Sequence, residues 1–280
     1  MFLQEMQALC NAIWYACFWI DASISFRLKY LLEKLLKLPI IAWNRLFWTH
    51  IPFFYLFRTD YLLKNRNGIW KIKAKSDFDF IVNPFFEIAL EPIFAEPTDV
   101  FIDIGAHIGK WTVFLAKHSP NARIFSFEPN PITRSYLEEN LVHNGLKNVV
   151  VRSEGISSHN GKTQFFTPTE LSALSKVGTS PISEPCDSVE ISTVRLDDFI
   201  QTIEIATDAN IFIKMDIEGH EAEAFSGMLA TFAYFPRIRF LCEILNIEWK
   251  SKPIFAQMRT LGFEVIKLWT GYDYLFKKHT

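Results

Sequence analysis

The sequence predicts an α/β fold in which helices cover both faces of a doubly wound, mostly parallel sheet that ends in an antiparallel hairpin and is preceded by an N-terminal helical segment. From about residue 76 onward, short apolar runs alternate with amphipathic stretches of helical length, which is typical of a parallel sheet covered by helices. Right-handed crossovers then place helices on both faces. Only residues 268–271 separate the last two apolar runs, so these two strands are expected to pair antiparallel.

The predicted strands and helices follow one another along residues 76–280, which we assign to one domain. Strands are predicted at 100–104, 123–128, 148–152, 211–215, 238–244, 263–267 and 272–276. Helices are predicted at 109–117, 131–144, 221–229 and 253–261. Residues 168–188 are rich in Ser, Thr and Pro, and they are predicted to form a mobile loop that covers the binding site.

Residues 1–75 are predicted to form a separate amphipathic and hydrophobic helical segment. The apolar run at residues 8–20 is shorter than the ~20 residues that cross a bilayer, and it lacks the basic stretch that precedes a secretion signal. Residues 27–38 place six leucines on one side of a helix and five charged residues on the other. Two alternatives are open: residues 8–58 make peripheral contact with a membrane, or they pack on the domain or on a second copy of the chain in a homo-oligomer.

Charge and cysteine usage exclude some classes of protein. The formal net charge is −2, whereas domains that bind nucleic acid usually carry a clear basic excess, so we expect no nucleic-acid partner. The four cysteines show neither a C-x-x-C motif nor paired spacing, which disfavours a disulfide framework and a zinc cluster. We therefore expect a reducing location, the cytoplasm, with attachment to the membrane periphery as the alternative.

Ligands of such sheets bind outside the carboxyl ends of the strands. The first of these ends is "FIDIGAHIGKWT", in which Asp103 lies in the strand while Gly105 and Gly109 bracket a turn that lets the backbone approach a ligand closely. The nicotinamide fingerprint requires a glycine where His107 stands, so a dinucleotide is disfavoured. The second end is "IFSFEPNP", where Glu128 lies roughly 20 residues further on, as required of an acid that accepts hydrogen bonds from ribose hydroxyls.

A third strand end, "FIKMDIEGHEAEAF", changes abruptly from an apolar run to titratable side chains around one glycine. These side chains are Asp216, Glu218, His220 and Glu221. Strand alternation places Lys214 and Asp216 on the same face, and Gly219 permits a sharp turn into the next helix. Glu221 is assigned to the electrostatics of the helix terminus.

These motifs resemble the FkbM-type family of S-adenosylmethionine-dependent methyltransferases. The resemblance covers residues 80–245 and rests on "DIGAHIG", "FEPNP", "NGLKNV", "SSHNGKTQF", "VRLDDF" and above all "IKMDIEGHE". It implies the class I methyltransferase fold, with a seven-stranded sheet that includes an antiparallel hairpin. It also implies S-adenosylmethionine as cofactor and methyl transfer to a hydroxyl oxygen of a sugar, glycolipid or natural product.

The resemblance also implies positions for the cofactor. Asp103, Gly105 and Gly109, in the loop that contains His107, would line its methionine and backbone side, and Glu128 would bind its ribose. Two further residues would lie near the adenine, with the second as an apolar lid: Glu154 and Ile156.

The titratable residues after the fourth strand suit methyl transfer to an alcohol. Asp216 is expected to stabilise the sulfonium or to orient the alcohol, and Glu218 or His220 to take the proton as general base. Glu243, at the end of the fifth strand, either binds acceptor hydroxyls or makes a structural hydrogen bond. A divalent metal held by these four residues is an alternative, because carboxylates and imidazole suit such ions.

The predicted function is therefore that of an S-adenosylmethionine-dependent O-methyltransferase whose partner is a small-molecule or glycan acceptor. The alternative is a non-catalytic scaffold that retains the fold and associates with a membrane or a protein partner. An oxidoreductase is disfavoured by His107 in the glycine loop. A nucleic-acid amino methyltransferase is disfavoured because "DIEG" stands where a D/N-P-P-Y/F motif is required.

Overall fold

The computed structural model describes residues 32, 61–65, 68–72, 93–94, 96–168, 176–177, 186–244, 252–268 and 273–278. The chain divides into two compact units, Met1–Phe85 and Phe86–Thr280, which are described separately below. The boundary predicted after residue 75 falls among residues 73–92, outside the described residues, and it stays a prediction.

The described part of the first unit contains an antiparallel hairpin of β1 (Tyr61–Asn65) and β2 (Gly68–Ile72). The prediction of a helical segment throughout residues 1–75 was therefore wrong here. The physical reason is that burial alternates from residue to residue, as it does along a strand: Leu63, Trp70 and Ile72 are buried, while Leu62 is exposed. The helices predicted within residues 8–38 lie outside the described residues except for Leu32, which is helical.

The second unit is an α/β structure. In chain order, its described strands are β3 (Val100–Ile104), β4 (Arg123–Phe127), β5 (Val149–Arg152), β6 (Gly155–Ile156), β7 (Gly161–Pro168), β8 (Lys176–Val177), β9 (Cys186–Val194), β10 (Ile211–Met215), β11 (Ile238–Glu243), β12 (Phe263–Lys267) and β13 (Asp273–Lys278). Its described helices are α1 (Lys110–His118), α2 (Pro131–His143), α3 (Leu196–Ile200), α4 (Glu221–Ser226), α5 (Leu229–Tyr234) and α6 (Lys252–Thr260). Among the described residues, no helix is long and apolar enough to cross a membrane.

Seven strands form the main sheet in the order β12-β13-β11-β10-β3-β4-β5. The five strands from β11 to β5 are parallel, and β13 is antiparallel to both of its neighbours. This confirms the predicted class I methyltransferase fold, including its C-terminal hairpin. The chain runs outward from β3 to β5 and then crosses to β10 on the other side of β3, so a switch point lies between β3 and β10, where a ligand crevice is expected.

The predicted strands of this sheet are confirmed to within two residues, whereas a second sheet was not predicted. The helix predicted at 221–229 is divided at Gly227 and Met228 into α4 and α5. The second sheet has the order β6-β9-β7-β8. The prediction of a mobile loop was wrong at residues 176–177 and 186–188, because these residues belong to strands β8 and β9 of the second sheet. Most of the remaining loop lies outside the described residues.

The segment before β3 is tied to the sheet by aromatic packing and by a buried arginine. Phe94 stacks on Trp111 of α1 with ring centroids 4.8 Å apart, and it meets Phe212 of β10 edge-on at 5.1 Å. Arg239 of β11 lies over the Phe212 ring at 4.9 Å and donates a hydrogen bond of 2.6 Å to the carbonyl oxygen of Ile93. Pairing satisfies the buried guanidinium, and the amino-terminal ends of the central strands are thereby closed.

Candidate active site

The register of the central strands brings the predicted site residues to one edge of the sheet. Lys214 of β10 lies opposite Asp103 of β3, and Met215 lies opposite Cys242 of β11. Asp216 and Glu243 therefore follow on neighbouring strands. The backbone N–H of Asp216 continues the ladder by donating to the carbonyl oxygen of Ile104 at 3.0 Å.

The turn after β3 has the left-handed backbone that its glycines suggested. Gly105 has φ +79° and Gly109 has φ +92°, and His107 between them also has positive φ, at +53°. A Cβ on Gly105 would overlap the carbonyl oxygen of Asp216, and one on Gly109 would lie 2.5 Å from Leu137 of α2. Gly105 is thus required by a backbone contact within the protein, and the positive φ of both positions favours glycine. Their approach to a cofactor stays a prediction.

Glu128 follows β4 and holds this turn in place. Its Oε2 accepts from the backbone N–H of His107 at 2.9 Å, and its Oε1 accepts from that of Asn130 at 2.9 Å. Burial raises the pKa of Glu128 to about 7, although these two donors oppose the rise. A carboxylate has about four acceptor positions, so each oxygen keeps capacity for a ribose hydroxyl, and the residue fits the group that the sequence assigned to it.

The carboxyl of Asp103 is enclosed by protein, with 0% of the residue exposed. Its Oδ2 accepts from the hydroxyl of Thr112 at 2.6 Å, and that hydroxyl lies 2.8 Å from Ser126 Oγ. Among the described residues no hydrogen-bond partner reaches Oδ1, and Lys214 Nζ lies 3.9 Å from it. Burial raises the pKa of Asp103, while the Lys214 ammonium opposes that rise. Any influence of Asp103 on a ligand would pass through its neighbours.

Asp216 follows β10 at this edge of the sheet, and 24% of its side chain is exposed. Its Oδ2 accepts a hydrogen bond from Lys214 Nζ at 3.2 Å, which confirms that the two side chains share a face. Burial lowers the pKa of Lys214, but the carboxylates of Asp216 and Asp103 outweigh that effect, so its pKa is raised. The lysine is therefore charged at neutral pH.

Glu243 and Asp273 place two more acids beside Asp216. Burial raises the pKa of Glu243 to about 8, and the charges of Asp216 and Asp273 add to the rise. Asp273 begins β13 and lies opposite Glu243 in the antiparallel register. The sequence analysis missed Asp273, and only the register of the predicted hairpin could have shown it.

The turn after β10 is built as predicted, with φ +53° at Glu218 and φ +104° at Gly219. Glu221 accepts a hydrogen bond of 2.8 Å from the backbone N–H of Gly219, as a residue that stabilises a helix terminus does. The charge of Glu218 also raises the pKa of Glu243. This turn thus brings a further carboxylate close to the crevice.

His220 is turned toward other parts of the protein. Its Nε2 lies 3.1 Å from Ser157 Oγ, and its Nδ1 lies 3.9 Å from Glu223 Oε2. Both ring nitrogens therefore face protein groups. The sequence analysis missed one of these groups, Ser157. The assignment of His220 as general base stays a prediction.

The two residues predicted near the adenine lie next to the Glu128 strand end. The backbone N–H of Glu128 donates to the carbonyl oxygen of Arg152 at 3.0 Å, and Glu154 forms an ion pair with the Arg152 side chain. Ile156 is buried and belongs to the main hydrophobic core. Both residues follow β5, and their contact with a cofactor stays a prediction.

The sequence analysis left a divalent metal as an alternative, and the described part of the structure provides no set of ligands for it. There, no group of three His, Cys, Asp or Glu side chains is arranged to hold an ion.

Comparison with known proteins identifies a family. A family model described as the methyltransferase FkbM domain matches residues 103–272. The hexuronic acid methyltransferase AglP of Haloferax volcanii is 34% identical over 161 residues, which are 57% of this chain and 60% of that protein. The 31-O-demethyl-FK506 methyltransferase FkbM of Streptomyces tacrolimicus is 25% identical over 198 residues, which are 61% of this chain and 74% of that protein.

Solved structures resemble the chain more distantly. The M. jannaschii TYW2 structure in complex with AdoMet is 16% identical and has a TM-score of 0.41, over 82% of this chain and 92% of that chain. The match to the Haloferax volcanii protein spans less than two thirds of that protein's length. The family model, in contrast, covers more than half of this sequence, and the chain belongs to the methyltransferase FkbM domain family.

Proposed function

We propose that this protein is an S-adenosylmethionine-dependent O-methyltransferase that acts on a hydroxyl of a saccharide, glycolipid or related small molecule. The observation that carries the proposal is the edge of the sheet at the switch point, where the partly exposed carboxylate of Asp216 accepts from Lys214 and Glu128 holds the glycine turn. The names of the two relatives, which concern a hexuronic acid and the 31-O position of FK506, favour a sugar or natural-product acceptor. A cytoplasmic location is part of the same proposal.

The chemistry requires the acceptor and donor to be held in line, and such positioning supplies much of the acceleration. When bound, S-adenosylmethionine supplies an electrophilic methyl group on a positively charged sulfur. Lys214 occupies Oδ2 of Asp216, so we assign Oδ1 to a hydroxyl of the acceptor that neighbours the reacting one, and the proton of the reacting hydroxyl goes to the general base. Glu243 is mostly protonated at pH 7, because its pKa is raised to about 8 by burial. In that form it donates a hydrogen bond to a second oxygen of the acceptor.

We assign the general-base role to Glu218 rather than His220. The sequence left the two residues open, and both ring nitrogens of His220 face protein groups. Glu218 lies in the turn that follows Asp216, and its charge acts on Glu243. A carboxylate in that place is suited to take the hydroxyl proton as the methyl group is transferred.

Calorimetric titration of the purified protein with S-adenosylmethionine and, separately, with NAD tests the proposed function. We expect micromolar binding of S-adenosylmethionine and none of NAD. Transfer of a labelled methyl group is then measured with saccharides and glycolipids as acceptors. Binding of NAD alone would replace the proposal with a dehydrogenase, and binding of neither would favour the scaffold alternative.

The raised pKa of Glu128 predicts a pH-dependent affinity for the cofactor. Ribose hydroxyls donate to the ionised carboxylate, and this form becomes dominant only as the pH rises through about 7. The affinity for S-adenosylmethionine should therefore be about tenfold lower at pH 6 than at pH 8, since one pKa unit corresponds to a tenfold change in population. Calorimetry at several pH values measures this dependence.

The matched control is Glu138→Gln on the exposed face of α2, which should keep the pH dependence. Glu128→Gln cannot ionise and should bind the cofactor weakly, with an affinity that does not vary between pH 6 and pH 8. An unaltered pH dependence in Glu128→Gln would assign the titration to another group.

A further inference from the structure

Lys214 is a buried ammonium in a strand that is otherwise apolar. The other residues of β10 are Ile211, Phe212, Ile213 and Met215, and all are buried. Only 7% of the Lys214 side chain is exposed. Burying a charge is costly unless it is paired, so the position of this lysine has to be explained by the groups around it.

Those groups include carboxylates on β3, on β11 and directly after β10. Asp216 accepts its hydrogen bond at 3.2 Å, and Asp103 Oδ1 on β3 lies 3.9 Å away. Glu243 on β11 also attracts its charge. Glu221 on α4 acts on Asp216 through its own charge. The ammonium thus lies between a carboxylate that is partly exposed and one that is enclosed.

Lys214 offsets one unit of negative charge in this arrangement. Its ammonium lies between two carboxyl groups, 3.9 Å from Asp103 Oδ1 and 3.2 Å from Asp216 Oδ2. Without the lysine, two like charges would lie in the same place, where like charges oppose each other's ionisation. The lysine therefore lowers the negative charge that the site presents to a sulfonium.

We propose that Lys214 is a positioning residue for methyl transfer, one that orients Asp216 through Oδ2 and lowers the negative charge of the transfer site by one unit. The inference rests on the proposed function. It assigns to the lysine two effects that are separable by experiment, the orientation of Asp216 and the charge presented to the cofactor.

The test compares binding of S-adenosylmethionine with binding of S-adenosylhomocysteine, which lacks the positive charge. Lys214→Met should shift the ratio of the two affinities toward S-adenosylmethionine by three- to tenfold, on the order expected for a unit charge removed from within about 10 Å. A purely structural role would weaken both ligands equally. The same variant should lower kcat by about 100-fold with little change in the KM of the acceptor, because Asp216 loses its orientation.

Two further variants separate charge from orientation and guard against a folding defect. Lys214→Arg keeps the charge and should keep the affinity ratio, with partial rescue of kcat. The double variant Lys214→Met with Asp103→Asn removes one charge of each sign. It should restore the wild-type ratio while kcat stays low, and it leaves no unpaired charge at residue 103 to disturb folding. Thermal denaturation verifies the fold of each variant.

Lys162→Met is the matched control, because Lys162 is exposed and also pairs with a carboxylate, Glu190 at 2.6 Å. It should leave affinities and kcat unchanged. An unaltered affinity ratio and kcat in folded Lys214→Met would overturn the inference and leave the proposed function in place. A wild-type protein that binds neither ligand would overturn both.

Discussion

Replacing Asp216 by asparagine should lower kcat by about 100-fold, because the acceptor loses the carboxylate that orients it and a misplacement of about 1 Å can cost this much. The amide keeps the shape of the side chain but is a weaker acceptor for the hydroxyl, and it replaces the ion pair with Lys214 Nζ, which is 3.2 Å from Oδ2, by a weaker hydrogen bond. The affinity for S-adenosylhomocysteine should stay within a few fold, because that ligand carries no sulfonium charge. Calorimetry and initial rates measure the two quantities.

The same variant also tests the charge of the site, because it should shift the ratio of the two ligand affinities in the direction opposite to that of Lys214→Met. Loss of one negative charge should shift the affinity ratio away from S-adenosylmethionine by three- to tenfold. Asp208→Asn, in an exposed loop, is the control for the substitution itself. Turnover that equals wild type in Asp216→Asn would refute the role of this carboxylate.

The main sheet was predictable because each of its strands carries its own signal. Apolar runs such as 100–104 and 211–215 are short, rich in Ile and Phe and buried on both faces, as parallel strands between two layers of helices are. The carboxyl ends of such strands share one edge. Asp103, Glu128 and Asp216 could therefore be placed together from the order of the elements alone.

The second sheet and the first hairpin escaped prediction because their strands resemble loops or helices in composition. β9 alternates exposed Ser188 and Glu190 with buried Ile191 and Thr193, a pattern that is clear only once pairing with β7 is known. Residues 61–65 follow a segment rich in aromatic and basic residues that suggested helices. Strand pairing is a non-local property, and intrinsic preference for strands depends on context.

The partners of the site residues were missed for the same reason. Thr112 lies nine residues after Asp103 but reaches it from α1, and Ser157 reaches His220 across 63 residues. For Lys214, the sequence predicted only that its side chain lies on the same face of the strand as that of Asp216. That it also lies against Asp103 follows from the register of β3 and β10, which a sequence does not specify.

The other large effect is expected for Gly105→Ala, which should unfold or displace the turn that supports the site. Gly105 has φ +79°, a conformation that costs an alanine about 1–2 kcal/mol. A Cβ there would also overlap the carbonyl oxygen of Asp216, which is backbone and cannot rotate away. Overpacking of this kind adds about 1–3 kcal/mol. The expected loss of about 3 kcal/mol or more corresponds to a fall in Tm of roughly 10 °C for a domain of this size.

Gly145→Ala separates the cost of the positive φ from the cost of the overlap with the Asp216 carbonyl oxygen. Gly145 also has positive φ, at +67°, but a Cβ there would meet no atom of the described residues within 4 Å. Its variant should lose only the conformational term, about 1–2 kcal/mol, and should bind S-adenosylmethionine as wild type does. In Gly105→Ala the turn must move away from Asp216, so cofactor binding and turnover should fall together with stability. Equal losses of stability in the two variants would show that the contact with Asp216 is unimportant. A larger loss in Gly105→Ala would show that the glycine turn and the catalytic carboxylate are held at their separation by direct backbone contact.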